Sequence, residues 1–294
     1  MRCSPSAVCG LVVIAAVISP AAADPPAPLP ASDLAFHVST PGALKAVTAG
    51  LGAHAGTGAE ALAGQFDLAT LHAVATLIEG PTPAVAPIDI DVLVAYTDGA
   101  ASHYANIERE LISGAIERAN LSFRLSNLDH IRLRLVHSYR TAYVEQEHDT
   151  HFDHVWRFAD KGDGYMDEVH GLRDLHRADV AILIVDDAKG CGLATRVRAD
   201  ADEAFAVVHH ACAAANLTLA HEVGHIIGAS HDLAYANGSK WRDIMSYKQR
   251  CGDCPRLPIW SNPLVLVAGE PAGTAQLNNA RVIAEQAARV AAFR

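Results

Sequence analysis

The stretch "LAHEVGHIIGASHD", Leu219 to Asp232, gathers three histidines and a glutamate into fourteen residues. In an α-helix residues four apart lie on one face, so His221 and His225 present their imidazoles side by side. That spacing suits one tetrahedral zinc ion. Glu222 lies one residue further round, where it can reach a water at such an ion without being a ligand, as a general base must. Gly228, three residues past His225, can adopt a left-handed conformation that ends the helix and turns the chain. His231 then arrives from the new direction as a third ligand. Three protein nitrogens leave a fourth position open, which marks a catalytic rather than a structural site. Solvated or core histidines are the bland alternative, and they leave the order His, Glu, His, Gly, His unexplained.

Around this stretch the chain interleaves strands and helices. "IDIDVLVAY" from Ile88, "IRLRLVHSYRTAY", the strongly apolar "ADVAILIVDD" and the shorter "EAFAVVHHA" read as strands, with "ADVAILIVDD" central. "AASHYANIERELISGAIERANLSFRLS" carries apolar residues at helical spacing and reads as one long amphipathic helix. "YMDEVHGLRDLHR" and "NNARVIAEQAARVAAF" read as further helices, the latter docking on the core. The expected class is α+β with an α/β-like upper part, built on a mixed, mainly parallel sheet. His209 and His210 are adjacent, so in a strand they face opposite ways and cannot both ligate. "HDTHFDH" (His148, His151, His154) reads as a polar helix start or loop.

The first residues, "MRCSPSAVCGLVVIAAVISPAAADPP", join one arginine to an apolar run from Ala7 to Ile18 and the small residues Ala21, Ala22 and Ala23. This is the layout of a secretory signal peptide spanning residues 1–23; the run is shorter than the roughly 20 residues a spanning helix needs. No membrane span is expected once the signal is removed. Residues 24–87, rich in Ala, Gly and Pro, read as a pro-segment or a loosely structured extension. Residues 88–294 form the expected main domain. Cleavage would remove Cys3 and Cys9 and leave Cys191, Cys212, Cys251 and Cys254 in an oxidising compartment, favouring two disulfides. Three connectivities exist, of which Cys191 with Cys212 and Cys251 with Cys254 is preferred. A formal net charge of -10 and the lack of a basic stripe argue against a nucleic-acid partner.

The pattern of His221, Glu222, His225, Gly228 and His231 resembles the metzincin clan of zinc endopeptidases. That clan has a methionine in a tight turn beneath the metal, and "WRDIMSYKQR" supplies Met245, fourteen residues after His231. Together with the Cys251/Cys254 pair, "IWSNP" and "NNARV", the ensemble is similar to the bacterial peptidyl-Asp metalloendopeptidase family from about Ile88 to the C-terminus. The resemblance implies a metzincin-type fold with a long active-site helix, a Met-turn and a C-terminal helix. It implies zinc on His221, His225 and His231, Glu222 as the base that assists attack by zinc-bound water, and Met245 as the floor. It also implies cleavage of polypeptides on the amino side of Asp and less readily Glu; with the signal layout, the expected enzyme is secreted, extracellular or periplasmic, and a monomer.

Tyr247 occupies the place of a tyrosine that astacin-like relatives use as an extra ligand or oxyanion donor; packing is the alternative. Acidic specificity calls for a cation in the wall formed after the Met-turn, and Arg250 and Arg256 suit a carboxylate better than Lys248. Calcium at Asp89 or Asp91 near Asn278 has no loop signature behind it. The competing readings are a broad-specificity adamalysin-like or astacin-like metalloprotease, and a secreted binding module that keeps the fold without turnover.

Overall fold

The structure, a computed structural model, describes residues 86–294. The expected signal peptide and the extension as far as residue 85 lie outside the described residues.

Strand β3 (Val180–Val185), "VAILIV", is buried along its whole length. Its residues alternate between two clusters: Val180, Ile182 and Ile184 join one, Ala181, Leu183 and Val185 the other. A strand apolar on both faces belongs at the centre of a sheet covered on both sides. The sheet order is β2-β1-β3-β5-β4, with β1 (Ile88–Tyr96), β2 (Ile131–Arg140) and β5 (Phe205–His209) parallel to β3. Only the three-residue edge strand β4 (Gly192–Ala194) runs antiparallel, against β5.

Helices divide between the two faces. After the four-residue α1 (Asp98–Ala101), α2 (Ser113–Leu125) packs Ala115, Ile116, Ala119 and Phe123 on one face. Helices α3 (His151–Ala159) and α4 (Glu168–His176) cover the other through Val155, Phe158 and Val169. The short α5 (His210–Ala213) leads into α6 (Thr218–Ile227), in which every residue is buried. Such a helix forms because both of its sides are apolar except at the motif residues. The C-terminal α7 (Asn279–Val290) docks Ile283, Ala287 and Val290 beside it.

The expected long helix starts later than its apolar spacing suggested. Residues 102–106 break away, and a turn of π-helix at Glu108–Ile112 precedes α2. His103 and Tyr104 are drawn to partners distant in the chain, Asp186 just after β3 at 2.9 Å and His210 at the start of α5 at 3.0 Å. The Asn106 side chain then accepts the Arg109 N–H at 2.8 Å, as a new cap. His210 opens α5 instead of ending a strand, and the stretch of His151 and His154 is the start of α3, with both side chains buried.

Beyond α6, a hairpin of β6 (Ala236–Asn237) and β7 (Trp241–Arg242) leads to the turn at Met245. The chain returns beside it: Arg242 pairs in parallel with Arg256, and Ile244 N–H donates to Ile259 C=O at 3.0 Å. Trp260 follows, fully buried, stacked on Phe123 and donating from Nε1 to Ser122 Oγ at 3.0 Å. A second hairpin of β8 (Asn262–Val267) and β9 (Glu270–Ala272) precedes α7.

Gly224 in α6 lies flat on the Trp260 ring: an added Cβ would meet Cζ3 at 2.6 Å. Overpacking of this kind costs about 1–3 kcal/mol. Gly224→Ala is therefore expected to lower unfolding free energy by that amount despite the better helix propensity of alanine, as urea denaturation would measure.

Candidate metal centre

Helix α6 carries His221 and His225 on one face, as their four-residue spacing requires. Gly228 ends the helix at φ 137°, where a side chain would be strained, and its N–H closes on Gly224 C=O at 2.9 Å. The chain turns there and brings in His231. The three rings lie 4.7, 5.0 and 4.8 Å apart, centroid to centroid, and one nitrogen from each falls within 4.8 Å of the others.

Each imidazole is tied off on its other side. The Nδ1 of His221 faces Ile244 C=O at 2.9 Å, that of His225 faces Ala229 C=O at 3.0 Å, and that of His231 faces Met245 C=O at 2.7 Å. A carbonyl oxygen only accepts, so each Nδ1 carries a proton and Nε2 is the atom left to ligate. Burial drives the same outcome by another route: it pushes His221 down to about 3 and His225 down to about 4, keeping both rings neutral. Neutral imidazoles with oriented Nδ1–H groups are the donor set zinc takes. The residues present fit that ion.

Met245 is completely buried beneath the rings and supplies the carbonyl that holds His231. Tyr247, half exposed, lies stacked on His231 at 4.0 Å with 26° between the planes. Glu222 is buried among α6, β4 and the turn, and burial pushes its carboxyl up to about 8, opposed by the Ala194 N–H and the charge of Arg256. Gly192 makes room for it, since a Cβ there would come within 2.7 Å of Glu222 Oε1.

Both preferred disulfides are present, Cys191–Cys212 and Cys251–Cys254. The first ties the residue before β4 to α5. The sequence-derived candidates for reading acid separate clearly. The Arg250 guanidinium donates to Ala234 C=O and His231 C=O, both at 3.1 Å, and so braces the loop of the third histidine. Arg256 lies beside the centre, pulled down to about 10 by burial and by neighbouring Arg242, while Asp243 and Glu222 oppose the shift. Lys248 pairs with Asp253. Asp89 and Asp91 are engaged by Arg132 and Arg134, and Asn278 caps α7.

Sequence reasoning did not single out Gly192, Gly224, Arg242 or Asp243. It also missed a second convergence: Nε2 of His103 and of His210 meet Asp186 Oδ1 at 2.9 and 3.0 Å, where they satisfy one another as hydrogen bonds.

Asp243 is buried under the turn, its Oδ2 accepting N–H groups of Tyr235 at 3.1 Å and Ser261 at 3.2 Å. Burial pushes it up to about 7. A carboxyl raised on folding stabilises fully below its unfolded pKa and loses that contribution as pH rises through its folded value. Wild type is thus expected to lose roughly 4 kcal/mol relative to Asp243→Asn between about pH 4 and pH 8. Urea unfolding in chelator across that range would show the two curves diverging; parallel curves would contradict it.

Comparison with known proteins places this geometry among relatives. The reprolysin-type family described as metallopeptidase family M12 matches residues 87–257. The chain is 36% identical over 226 residues to a peptidyl-Asp metalloendopeptidase of Stenotrophomonas maltophilia strain R551-3, covering 71% of this chain and 53% of that protein. It is 36% identical over 222 residues to one of Xanthomonas campestris pv. campestris, covering 71% and 52%. The chain thus spans about half the length of the curated relatives it matches. In fold, it is similar to a chain in a chaperone–substrate complex, with a TM-score of 0.58 at 19% identity over 71% of this chain and 35% of that one.

Proposed function

The chain belongs to metallopeptidase family M12, and from that membership we propose that it is a secreted zinc endopeptidase cleaving polypeptides on the amino side of aspartate, less readily glutamate. One observation carries the peptidase reading: three imidazoles with their Nδ1 atoms tied to carbonyls, beside a buried carboxyl that is no part of the donor set. A binding module has no need of that carboxyl.

His221, His225 and His231 would hold the ion through Nε2. When bound, zinc supplies Lewis acidity that brings the pKa of a water toward about 7 and polarises a peptide carbonyl. Glu222 takes the proton of the attacking water on a carboxylate oxygen and delivers it to the leaving nitrogen. Burial raises the affinity of this carboxyl for protons in the metal-free centre. Arg256 favours the charged form of Glu222 and so keeps the group able to accept.

The preference for aspartate is supported by the names of the relatives and by the cation beside the centre. Export is supported by the apolar leader at residues 1–23 and by two disulfides; residues 24–87 are proposed as a pro-segment. No helix among the described residues is long and apolar enough to cross a membrane.

The test is one purified secreted preparation, analysed for metal, for its N-terminus by intact mass, and for its cleavage sites in a denatured protein with and without chelator. The expected result is one zinc at this centre, an N-terminus at or beyond residue 24, and cuts before aspartate that stop with chelator and return with zinc. Cuts scattered without regard to acids would favour the adamalysin-like reading, and chelator-resistant cutting would end the metal reading. Glu222→Gln is expected to retain zinc while kcat falls at least about 10²–10⁴-fold.

Tyr247 can act as cover for His231 or as a donor to the reacting carbonyl, and the ring stack favours cover. Tyr247→Phe keeps the stack, so kcat/KM is expected to stay within about tenfold; a larger fall carried by kcat alone would assign the hydroxyl to the reaction.

A further inference from the structure

We propose that Arg242 and Arg256 together form a carboxylate-binding subsite, a two-guanidinium clamp for the acidic side chain of the substrate residue that follows the scissile bond. The proposal rests on the aspartate preference proposed above and assigns it to particular atoms, one set of which, on Arg242, lies outside the segment after the Met-turn.

The two arginines are placed together by backbone pairing. Arg242 N–H donates to Pro255 C=O at 3.0 Å and Leu257 N–H donates to Arg242 C=O at 2.9 Å, making Arg242 and Arg256 partners in a parallel bridge. Partners in such a bridge send their side chains to the same face. Both sit on the structure that shapes the centre: Arg242 is two residues before Ile244, whose carbonyl orients His221, and the charge of Arg256 is felt by both His221 and Glu222.

Neither guanidinium is ion-paired, although the charge of Asp243 is felt by both. Among the described residues no carboxylate lies within ion-pair distance of Arg242 or Arg256, although most other arginines of the domain have one or donate to carbonyls. Asp243, next in sequence, has its Oδ2 turned to the N–H groups of Tyr235 and Ser261. Three donors are left buried without an acceptor: Nε and Nη1 of Arg242 and Nε of Arg256. Arg256 uses only Nη1, which donates to Asn216 C=O at 2.9 Å and anchors the side chain.

Two like charges side by side, with buried N–H groups unspent, are unfavourable in the free protein and are relieved by an anion. A carboxylate offers two oxygens with about four lone-pair sites, enough for all three donors. A neutral amide of the same shape offers one acceptor oxygen and turns an NH2 group toward the cations. The subsite is therefore built to separate Asp from Asn, a distinction that pocket size alone does not make.

The test uses the metal-loaded full-length secreted protein and peptides identical except for Asp or Asn after the scissile bond. Arg242→Gln and Arg256→Gln are each expected to lower the Asp:Asn ratio of kcat/KM by about 10- to 100-fold. Arg256→Glu is expected to move the preference toward Lys. A tripeptide beginning with Asp, which mimics the departing product, should inhibit wild type more strongly than its Asn counterpart and lose that advantage in both Gln variants. This measurement needs binding only. Should Arg256→Gln not fold, judged by its melting curve, Arg242→Gln and Arg256→Lys carry the same test. Wild type without an Asp preference would defeat the specificity reading itself; a wild-type preference that survives in the folded variants would overturn the clamp and leave that reading standing.

Discussion

Three imidazole N–H groups donate to three backbone carbonyls, and the rest of the centre follows from where those carbonyls are. Two belong to consecutive residues, Ile244 and Met245, so one turn fixes the tautomer and tilt of both His221 and His231. The turn is itself held from below, by Ile259 C=O accepting from Ile244 N–H and by Asp243 gathering the backbone of Tyr235 and Ser261. Ligand geometry is thereby a property of the segment from 235 to 261 as much as of α6. Met245 contributes no side-chain chemistry here. Its buried thioether belongs to the core cluster that also takes in Val223, Ile226 and Ile227 of α6.

Burial then governs the electrostatics. Every residue of α6 is buried, so each ionisable group on or against it is desolvated, and desolvation acts with opposite sign on acids and bases. His221 and His225 move down, Glu222 and Asp243 move up, and Arg256 moves down. His221, His225, Glu222 and Asp243 are thereby pushed toward their neutral forms, while Arg256 keeps its charge. Before ion and substrate arrive, the fixed charge of the site therefore lies on the guanidinia of Arg242 and Arg256, and the imidazoles and the Glu222 carboxyl are the groups that exchange protons.

The parts of this arrangement legible in the sequence are those set by local spacing. His221, Glu222, His225 and Gly228 are related by helix geometry alone, and β1, β2, β3 and β5 are readable from period two or unbroken apolar runs. Met245 and the preferred cysteine pairing were legible through resemblance and compartment chemistry. What escaped depends on residues distant in the chain. The break at residues 102–106 answers to Asp186 and His210, and the need for glycine at 192 and 224 answers to Glu222 and Trp260. Arg242 escaped for a subtler reason. A sequence displays a charge, whereas the informative property of Arg242 is the partner it lacks.

Edge strand β4 shows how narrow the tolerance is. It has three residues and pairs only with β5, placing Gly192 opposite Val208 and Ala194 opposite Ala206. In that register glycine faces Glu222 and the Ala194 N–H reaches its carboxyl. A slip of one residue would reverse every side chain and bring Leu193 against the carboxyl, forcing it from its seat. Three residues of pairing are too few to forbid such a slip. The constraint comes from the preceding residue: Cys191 C=O accepts the His209 N–H at 2.8 Å, and its sulfur is bonded to Cys212 in α5, directly after β5. The disulfide therefore acts on the chemistry through register, by holding the strand alignment in which Glu222 has the room it uses.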